Sequence, residues 1–200
     1  VVPLAPERRM ARRVALTPSG GESVNLAARQ FFAAEGEAGS SRGQAIHRLL
    51  AMVSWLEETD LAKLRAAMIA VETNEKWVEI ALATAVSPNL GEIFRCPEAG
   101  PIDLWRERSF EIVLEGSWVT GVFDRVMVWR GADGKAERAT VVDFKTDAVD
   151  SPKKLTQAIQ RHRPQLEIYR KVVARLTRMS TEHVDVQIVF TAIGRAVRLE

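Results

Sequence analysis

The 200-residue chain is 46% hydrophobic and 27% charged, with a formal net charge of +2 at pH 7, so it can form one sizeable core and has an ordinary globular composition. No run approaches the roughly 20 apolar residues that a membrane span requires, and no secretory signal is visible. The single cysteine, Cys96, excludes an internal disulfide and an all-cysteine metal cluster within this chain. These features predict one α/β or α+β domain in a reducing cytoplasm.

The first 22 residues are rich in Arg and Pro and include the sequence TPSGG at residues 17–21, which predicts an extended, linker-like entry over residues 1–22. A single domain is expected over residues 23–200, with a helical part over about 23–100 and a sheet core over about 101–200. The chain begins at Val1 rather than at a methionine, which indicates a piece of a longer protein, although processing of the N-terminus would give the same start.

Apolar residues at helical spacing predict helices over residues 23–34, 44–56, 60–72 and 74–86. Asn89 is expected to cap a short helix that ends at Phe94. His47 lies beside the apolar stripe of the second helix. Taken alone, a histidine in such a position is more often packed or hydrogen-bonded than a metal ligand.

After Pro101 the pattern changes to strands, predicted over residues 110–114, 118–129, 140–146, 184–191 and 196–199, with a helical segment over residues 155–176. Pro164 is expected to break or start a helix there. Leu166, Val172, Val173 and Leu176 can then face the core, while Gln165 and Tyr169, four residues apart, share another face. Tyr169 alone is equally well explained as an amphipathic residue at the rim of the core.

The two strands of a hairpin predicted over residues 121–147 carry Asp124 on the first strand and Asp143 and Lys145 on the second. Asp133 and Gly134 favour a tight reversal between its strands. Side-chain alternation places Asp143 and Lys145 on one face, and a suitable register brings Asp124 beside Asp143. Two adjacent carboxylates repel each other unless a cation lies between them, and oxygen donors suggest Mg²⁺ or Mn²⁺. A lone Asp near a strand end is usually solvated, but charges on an otherwise apolar strand must be paired or used.

Residues 151–178 contain eight Lys or Arg residues and a single acid, Glu167. Such a segment can follow a phosphate backbone. A solvated helix face explains the same charges. Composition alone leaves both interpretations open.

Five motifs in the expected order make the chain resemble the RecB/AddA-type branch of the PD-(D/E)XK nuclease superfamily, found at the C-terminus of UvrD-like helicase-nucleases. They are Gly43-x-x-x-His47, Glu107-Arg-Ser-Phe110, Gly121-Val-Phe-Asp124-Arg125, Asp143-Phe-Lys145-Thr-Asp147 and Gln165-x-x-x-Tyr169. Ser109 stands where proline is common in the family. The resemblance implies a restriction-endonuclease-like α/β core, in which a mixed central β-sheet is flanked by helices and preceded by a helical part.

The resemblance also implies a metal site formed by His47, Asp124 and Asp143, with the backbone carbonyl of Phe144 as a further ligand. The expected ion is Mg²⁺, for which Mn²⁺ can substitute. Lys145 would position or activate the attacking water, and Glu107, Gln165 and Tyr169 would support the site or orient the substrate. DNA would contact basic residues of the last long helix, which are Lys153, Lys154, Arg161, Arg163, Arg170 and Lys171. Because only Cys96 is present, we expect no iron-sulfur cluster.

The function implied is that of a metal-dependent deoxyribonuclease that acts as an exonuclease in double-strand-break repair and recombination. The chain contains no Walker motif, so a UvrD-like helicase domain is expected earlier in the same polypeptide, where it would feed single-stranded ends to the nuclease. A second helicase-nuclease subunit is a further expected partner. No membrane association is expected, and the expected location is cytoplasmic and nucleoid-associated. The alternative is a catalytically inactive nuclease-like module that binds DNA or a partner subunit. Activity is favoured because Asp124, Asp143 and Lys145 are all present.

Overall fold

The structure, a computed structural model, describes residues 41–98 and 100–200. The linker predicted for residues 1–22 and the helix predicted for residues 23–34 lie outside the described residues. Within those described ranges, no helix is both long enough and apolar enough to cross a membrane.

Helices form the first part of the described chain. They are α1 (Ser41–Ala51), α2 (Leu61–Val71), α3 (Glu75–Val86) and α4 (Gly91–Phe94). Helix α2 begins where the Asp60 carboxylate accepts the N–H groups of Ala62 and Lys63, and the Asn74 side chain caps α3 in the same way. The helices predicted over residues 60–72 and 74–86 are therefore confirmed.

Two details of the predicted helical part are wrong. The helix predicted over residues 44–56 ends at Ala51, because the carbonyls of Val53 and Ser54 accept hydrogen bonds from the Arg125 guanidinium on the sheet. Asn89 does not cap α4, since Pro88–Leu90 forms a 3₁₀ turn and Leu90 takes the N-cap position without a side-chain hydrogen bond. A contact with the sheet, rather than local propensity, thus accompanies the end of α1, whereas the start of α4 follows the local 3₁₀ turn.

A five-stranded mixed sheet follows, with the strands arranged in chain order. The strands are β1 (Ile102–Leu114), β2 (Ser117–Arg130), β3 (Ala136–Lys145), β4 (Val184–Phe190) and β5 (Arg195–Leu199). Only the β3–β4 pair is parallel, and helix α5 (Pro152–Thr177) makes the crossover between these two strands. The predicted α/β fold, a mixed sheet flanked by helices and consistent with a restriction-endonuclease-like core, is confirmed.

The first strand is much longer than predicted. Its first eight residues include Asp103, Arg106, Glu107 and Arg108, whose charges obscure the alternation that marks a strand. These residues are tolerated because β1 is an edge strand, where polar side chains remain in contact with water.

Helix α5 continues through Pro164, so the predicted helix break at this residue is wrong. The proline ring removes one backbone hydrogen bond, at a cost of about 3 kcal/mol. Residues on both sides of it are buried against the sheet, Ala158 before and Leu166 after, and this packing holds the helix together. The predicted orientation is also partly wrong, because Tyr169 is buried and Leu176 is 43% exposed.

Each face of the sheet covers its own hydrophobic core. On one face, which we call the α1 face, helices α1–α4 pack against Met127, Val142, Phe144 and Val189. On the other, the α5 face, helix α5 packs against Val126, Val141, Val186 and Ile188 among others. The alternation predicted for β3 is confirmed, since Val141 faces α5 while Val142 and Phe144 face the helices of the α1 face.

Candidate active site

The site begins where strands β2 and β3 part. Their ladder pairs Arg125 with Val142, and the same register continued by one residue places Asp124 opposite Asp143. At this level the N–H of Phe144 donates to the Asp124 carboxylate over 2.7 Å. A side chain thus replaces the backbone acceptor that a continuous ladder would supply, and the strand ends separate around the two acids.

Strands β1 and β2 both shift their side-chain alternation at the level of Glu107 and Asp124. In β1 the α5 face receives Trp105 and then Phe110, and in β2 it receives Phe123 and then Val126. Each pair is separated by an odd number of residues, although strict alternation would require an even number. Glu107 has a φ of +43°, a left-handed conformation that is uncommon for a residue other than glycine. This shift turns Glu107 and Asp124 out of the two cores and towards His47.

Three potential metal ligands meet at this level. His47, Glu107 and Asp124 each offer one ligand atom, and these atoms all lie within 4.8 Å of one another. Nδ1 of His47, on α1, donates to Oδ1 of Asp124 over 3.0 Å. A helix of the α1 face, an edge strand and a central strand each contribute one member of this cluster, which we call the acid-imidazole cluster.

The cluster is electrostatically coupled. Burial would lower the pKa of His47, but the carboxylates of Asp124 and Asp143 outweigh it and raise this pKa to about 9. Burial likewise opposes ionisation of Asp124, yet His47, Lys145 and the Phe144 N–H together hold its pKa below the ordinary value. Partial burial and the charge of Asp124 raise the pKa of Glu107. Without a bound cation, a protonated His47 therefore balances Asp124 at neutral pH.

Lys145 lies at the start of a directional chain of hydrogen bonds. Its Nζ is 3.1 Å from Oδ2 of Asp143 and donates to Oε1 of Gln165 over 3.1 Å. The Gln165 amide donates to the Tyr169 hydroxyl over 3.0 Å, and that hydroxyl donates to the carbonyl of Val122 over 2.9 Å. The side chains of Asp143 and Lys145 are only 4% and 7% exposed. We call this series of contacts, which joins Asp143, Lys145, Gln165, Tyr169 and the Val122 carbonyl, the lysine network. It fixes the ammonium group of Lys145 beside the separated strand ends.

The glycine of the third motif is required by the phenylalanine of the second. Gly121 pairs directly with Phe110 across β1 and β2, and a Cβ at residue 121 would lie 2.7 Å from the Phe110 ring. The ring covers the bare backbone of Gly121 and also stacks on Phe123, with ring centroids 4.5 Å apart. The two motifs are thus complementary parts of one hairpin that carries Glu107 and Asp124.

Arg125, the last residue of the third motif, connects parts of the fold through its buried side chain. Its guanidinium is buried and donates to the carbonyls of Ile93, Val53 and Ser54. Burial, with a smaller contribution from Arg106, lowers its pKa to about 9. The contacts of Arg125 tie the end of α1 and helix α4 to the strand that carries Asp124, so they fix the position of His47 relative to that carboxylate.

The basic residues predicted to bind DNA lie around α5 rather than along one stripe. Lys154 pairs with Asp150 over 2.6 Å, Arg161 pairs with Asp147, and Lys171 pairs with Glu115 of the β1–β2 turn over 2.7 Å. Arg163 and Arg170 donate to the carbonyls of Glu200 and Leu199, at the opposite edge of the sheet. Lys153 is exposed. Their role in DNA binding stays a prediction.

The structure also brings in residues that the sequence reasoning missed or assigned differently. His162 is 2% exposed, and its Nε2 lies 3.1 Å from Oδ2 of Asp147. The spacing of His162, Gln165 and Tyr169 on one helix face is a signal that could have revealed it. Glu107, predicted to support the site or orient the substrate, lies within the acid-imidazole cluster. Asp143 lies outside that cluster, and the roles of Asp143 and of the Phe144 carbonyl as metal ligands stay predictions.

The donor set fits a divalent cation. One imidazole nitrogen and two carboxylates suit Mn²⁺ and related ions, and Mg²⁺ accepts the carboxylates together with water. The raised pKa of His47 and the two neighbouring acids show a concentration of negative charge for which a bound cation would compensate. The residues present could therefore hold the ion.

The comparison with known proteins agrees with this geometry. A protein-family model described as the PD-(D/E)XK nuclease superfamily matches residues 22–197. No curated protein matches the chain at a significant level. The match covers most of the chain, including every residue of the acid-imidazole cluster and the lysine network, and the family is one of nucleases that use divalent metal ions. The chain therefore belongs to the PD-(D/E)XK nuclease superfamily.

Proposed function

We propose that this chain hydrolyses DNA phosphodiester bonds as a divalent-metal-dependent deoxyribonuclease. The observation that carries this proposal is the convergence of three ligand atoms within 4.8 Å beside a buried lysine network. Phosphodiester hydrolysis requires an activated water and stabilisation of the negative charge that develops on the phosphoryl oxygens. The two clusters supply separate groups for these two requirements.

The residues have distinct roles in this proposal. A bound divalent ion would supply Lewis-acid stabilisation and lower the pKa of a nearby water, and His47, Glu107 and Asp124 would hold it, with Asp143 as a predicted fourth ligand. Lys145 would donate from its ammonium group to the attacking water or to a phosphoryl oxygen. Gln165 and Tyr169 hold that ammonium group at one position, so its donor geometry is set before the substrate arrives.

The finer assignment rests on the five motifs and is part of the same proposal. We place the chain with the RecB/AddA-type nuclease domains, with Mg²⁺ as the physiological ion and exonucleolytic cutting of single-stranded ends. A UvrD-like helicase domain would precede residues 23–200 in the same polypeptide, linked through residues 1–22. A second helicase-nuclease subunit, a role in double-strand-break repair and recombination, and a cytoplasmic, nucleoid-associated location complete this proposal.

The basic side chains of α5 that already hold acidic or carbonyl partners would contact DNA by exchanging those partners for phosphates. Lys171 and Lys154 are well placed for this exchange, because their ion pairs are more than 40% exposed and exposed pairs contribute little stability.

Replacement of Lys145 tests the catalytic proposal. We expect Lys145→Ala to lower the rate of Mg²⁺-dependent DNA degradation by about 100-fold or more, as is typical when one donor to a developing charge is lost. Lys135→Ala is the matched control, because it also removes a lysine with an acidic partner, Asp133, but lies in the turn between β2 and β3. Undiminished cutting by Lys145→Ala, with both variants folded, would count decisively against the assignment.

The inactive-module alternative makes a different prediction. A module that only binds would retain DNA in a chelator and would still release it uncut after Mg²⁺ or Mn²⁺ is added. The proposed nuclease would degrade the bound DNA on addition of either ion, and Asp124→Asn would prevent this without abolishing binding in the chelator.

A further inference from the structure

An arginine stacked on a tryptophan lies next to the acid-imidazole cluster. The guanidinium carbon of Arg108 is 4.1 Å from the ring centroid of Trp105. Arg108 follows Glu107 directly in β1 and pairs across the hairpin with Phe123, the residue before Asp124. On the edge strand of the sheet, Arg108 is thus next to Glu107 in sequence and diagonally across from Asp124 on β2.

The shift in alternation at Glu107 creates this stack. Residues three apart on a regular strand point to opposite faces, yet Trp105 and Arg108 come together because Glu107 adopts a φ of +43°. Trp105 in turn packs against the buried Phe123, and the centroids of the two rings are 6.1 Å apart. One irregular residue thus aims a carboxylate at His47 and lays a guanidinium on a fixed aromatic ring.

Stacking leaves the edge of the guanidinium open. A planar guanidinium that lies on an indole keeps its N–H donors directed outward in the plane, where they match the oxygens of a phosphate. Arg108 is exposed, and within residues 41–98 and 100–200 no carboxylate forms an ion pair with it at hydrogen-bonding distance. This sets it apart from Lys154, Arg161 and Lys171 of α5, which hold acidic partners.

We propose that Arg108, which lies over the Trp105 ring, is a phosphate-binding fork that binds the backbone of a single DNA strand beside the bond to be cut. This inference rests on the proposed nuclease function and adds to it a substrate contact on β1, outside the α5 helix. The fork is preorganised, so little side-chain freedom is lost when a phosphate binds. It sets the position of the strand relative to Glu107 and Asp124.

The chain contains a matched control for this arrangement. Arg138 of β3 lies over Trp129 of β2 at the same distance, 4.1 Å, and Arg138 is also exposed. Trp129 is five residues from Asp124 along β2, roughly 16 Å away at about 3.3 Å per residue. The two stacks have the same chemistry and differ in their distance from the site.

The test measures binding of a short fluorescein-labelled oligothymidylate to the full chain by anisotropy in EDTA, over a series of salt concentrations. We expect Arg108→Ala to bind about tenfold more weakly, in line with the loss of charge-assisted hydrogen bonds, and to flatten the slope of log K against log salt by about 0.7, the value for one phosphate on a single strand. Arg138→Ala should stay within about twofold of the original chain. Arg108→Lys should keep the salt slope and lose part of the affinity, because an ammonium group binds as a point charge without the fork.

Cleavage with Mg²⁺ present separates binding from chemistry. We expect Arg108→Ala to raise KM while kcat changes little, since the contact is made before and during the reaction alike. Equal binding and equal salt slopes for Arg108→Ala and Arg138→Ala would overturn the fork, and so would a lower kcat with unchanged binding, which would assign Arg108 to the shaping of Glu107.

The outcomes for the fork and for the nuclease are distinguishable. If the chain cuts DNA and Arg108→Ala behaves like Arg138→Ala, the fork is wrong and the nuclease stands. If binding depends on Arg108 but no ion supports cutting, the fork stands and the nuclease proposal fails. If the original chain does not bind the oligothymidylate, the fork is overturned.

Discussion

The two faces of the sheet contribute differently to the site. The α1 face supplies His47, whose contact with Asp124 joins residues 77 positions apart in the sequence, and the His47 side chain is 25% exposed. The α5 face supplies Gln165 and Tyr169, which are 5% and 4% exposed and bond to β2 and β3 in an unbroken donor-to-acceptor series. The acid-imidazole cluster, which we call the open half of the site, is partly exposed and electrostatically balanced. The lysine network, which we call the closed half, is buried and fixed by hydrogen bonds.

This difference indicates a division of labour. In the acid-imidazole cluster a proton on His47 does what a bound cation would do, so the cluster can exchange one positive charge for another. The lysine network runs as an unbroken series of hydrogen bonds from Lys145 through Gln165 and Tyr169 to the Val122 carbonyl, and such buried networks make their side chains rigid. We therefore expect changes in the first half to affect ion binding and chemistry most, and changes in the second to affect stability as well.

The largest effect is expected from Asp124→Asn, which breaks the open half. The amide can still accept the Phe144 N–H, but it lacks the charge that balances His47 and would bind a cation. Activity should fall by at least about 100-fold, because losing a metal ligand should cost more than losing a residue that only hydrogen-bonds to a ligand, for which the loss is about 10- to 100-fold. Rates of DNA degradation over a Mg²⁺ series and Mn²⁺ binding by electron paramagnetic resonance would measure this.

The control for this substitution is Asp103→Asn, which removes a carboxylate 2.8 Å from Arg130 at the far end of the hairpin. It should leave Mn²⁺ binding unchanged. Normal ion binding by Asp124→Asn would mean that the acid-imidazole cluster only joins α1 to the sheet.

A smaller effect is expected from Tyr169→Phe, which breaks the closed half. Loss of the hydroxyl leaves the Val122 carbonyl and the Gln165 amide without this buried partner, and the free energy of unfolding should fall by about 1–3 kcal/mol. Urea denaturation measures the loss. Thr177→Val on the same helix, whose hydroxyl donates to backbone carbonyls of its own helix, should change the stability by less than about 0.5 kcal/mol. Equal losses in the two variants would show that the network adds no stability.

The smallest effect is expected in the pH dependence of stability in a chelator. The pKa of His47 is raised from 6.5 to about 9 in the folded chain, so its contribution is complete below pH 6.5 and is lost as the pH rises through about 9. We expect the stability difference between the original chain and His47→Gln to shrink by roughly 1 kcal/mol over this range, after screening at a partly exposed site is allowed for.

Asp124→Asn and the double variant complete a thermodynamic cycle for this pair. The pH-dependent part of the His47 contribution should disappear when Asp124 is already replaced. If the difference in free energy of unfolding between the original chain and His47→Gln stays constant between pH 6.5 and 9, Asp124 does not hold the proton on His47.

Local patterns predicted much of the closed half. Alternation placed Asp143 and Lys145 on one side of β3, and a four-residue spacing aligned Gln165 with Tyr169. The sequence did not reveal that this polar pair faces the core. Polar residues are normally assigned to the surface, and here a chain of buried hydrogen bonds outweighs that preference.

The open half was less accessible to sequence reasoning. Spacing cannot reveal that α1 brings His47 to Asp124, and the grouping of the two residues came from the family resemblance. The place of Glu107 in the cluster depends on a left-handed backbone in mid-strand, which no side-chain pattern encodes for a glutamate. The end of α1 was also missed, because it is set by Arg125, which lies 72 and 71 positions from its partners Val53 and Ser54.

The simultaneous shift in β1 and β2 has a consequence for how this domain can vary in length. Because both strands shift at the same level, the arm from residue 108 to residue 123 keeps its own regular pairing, which closes at the turn of Glu115 and Gly116. Residues added as facing pairs at that tip would extend the arm and leave Glu107 and Asp124 in place. A single residue added to only one strand of the arm would rotate its aromatic side chains away from α5. We therefore expect the domain to accept paired insertions at the tip and to lose the arrangement of the site when residues are inserted near the carboxylates.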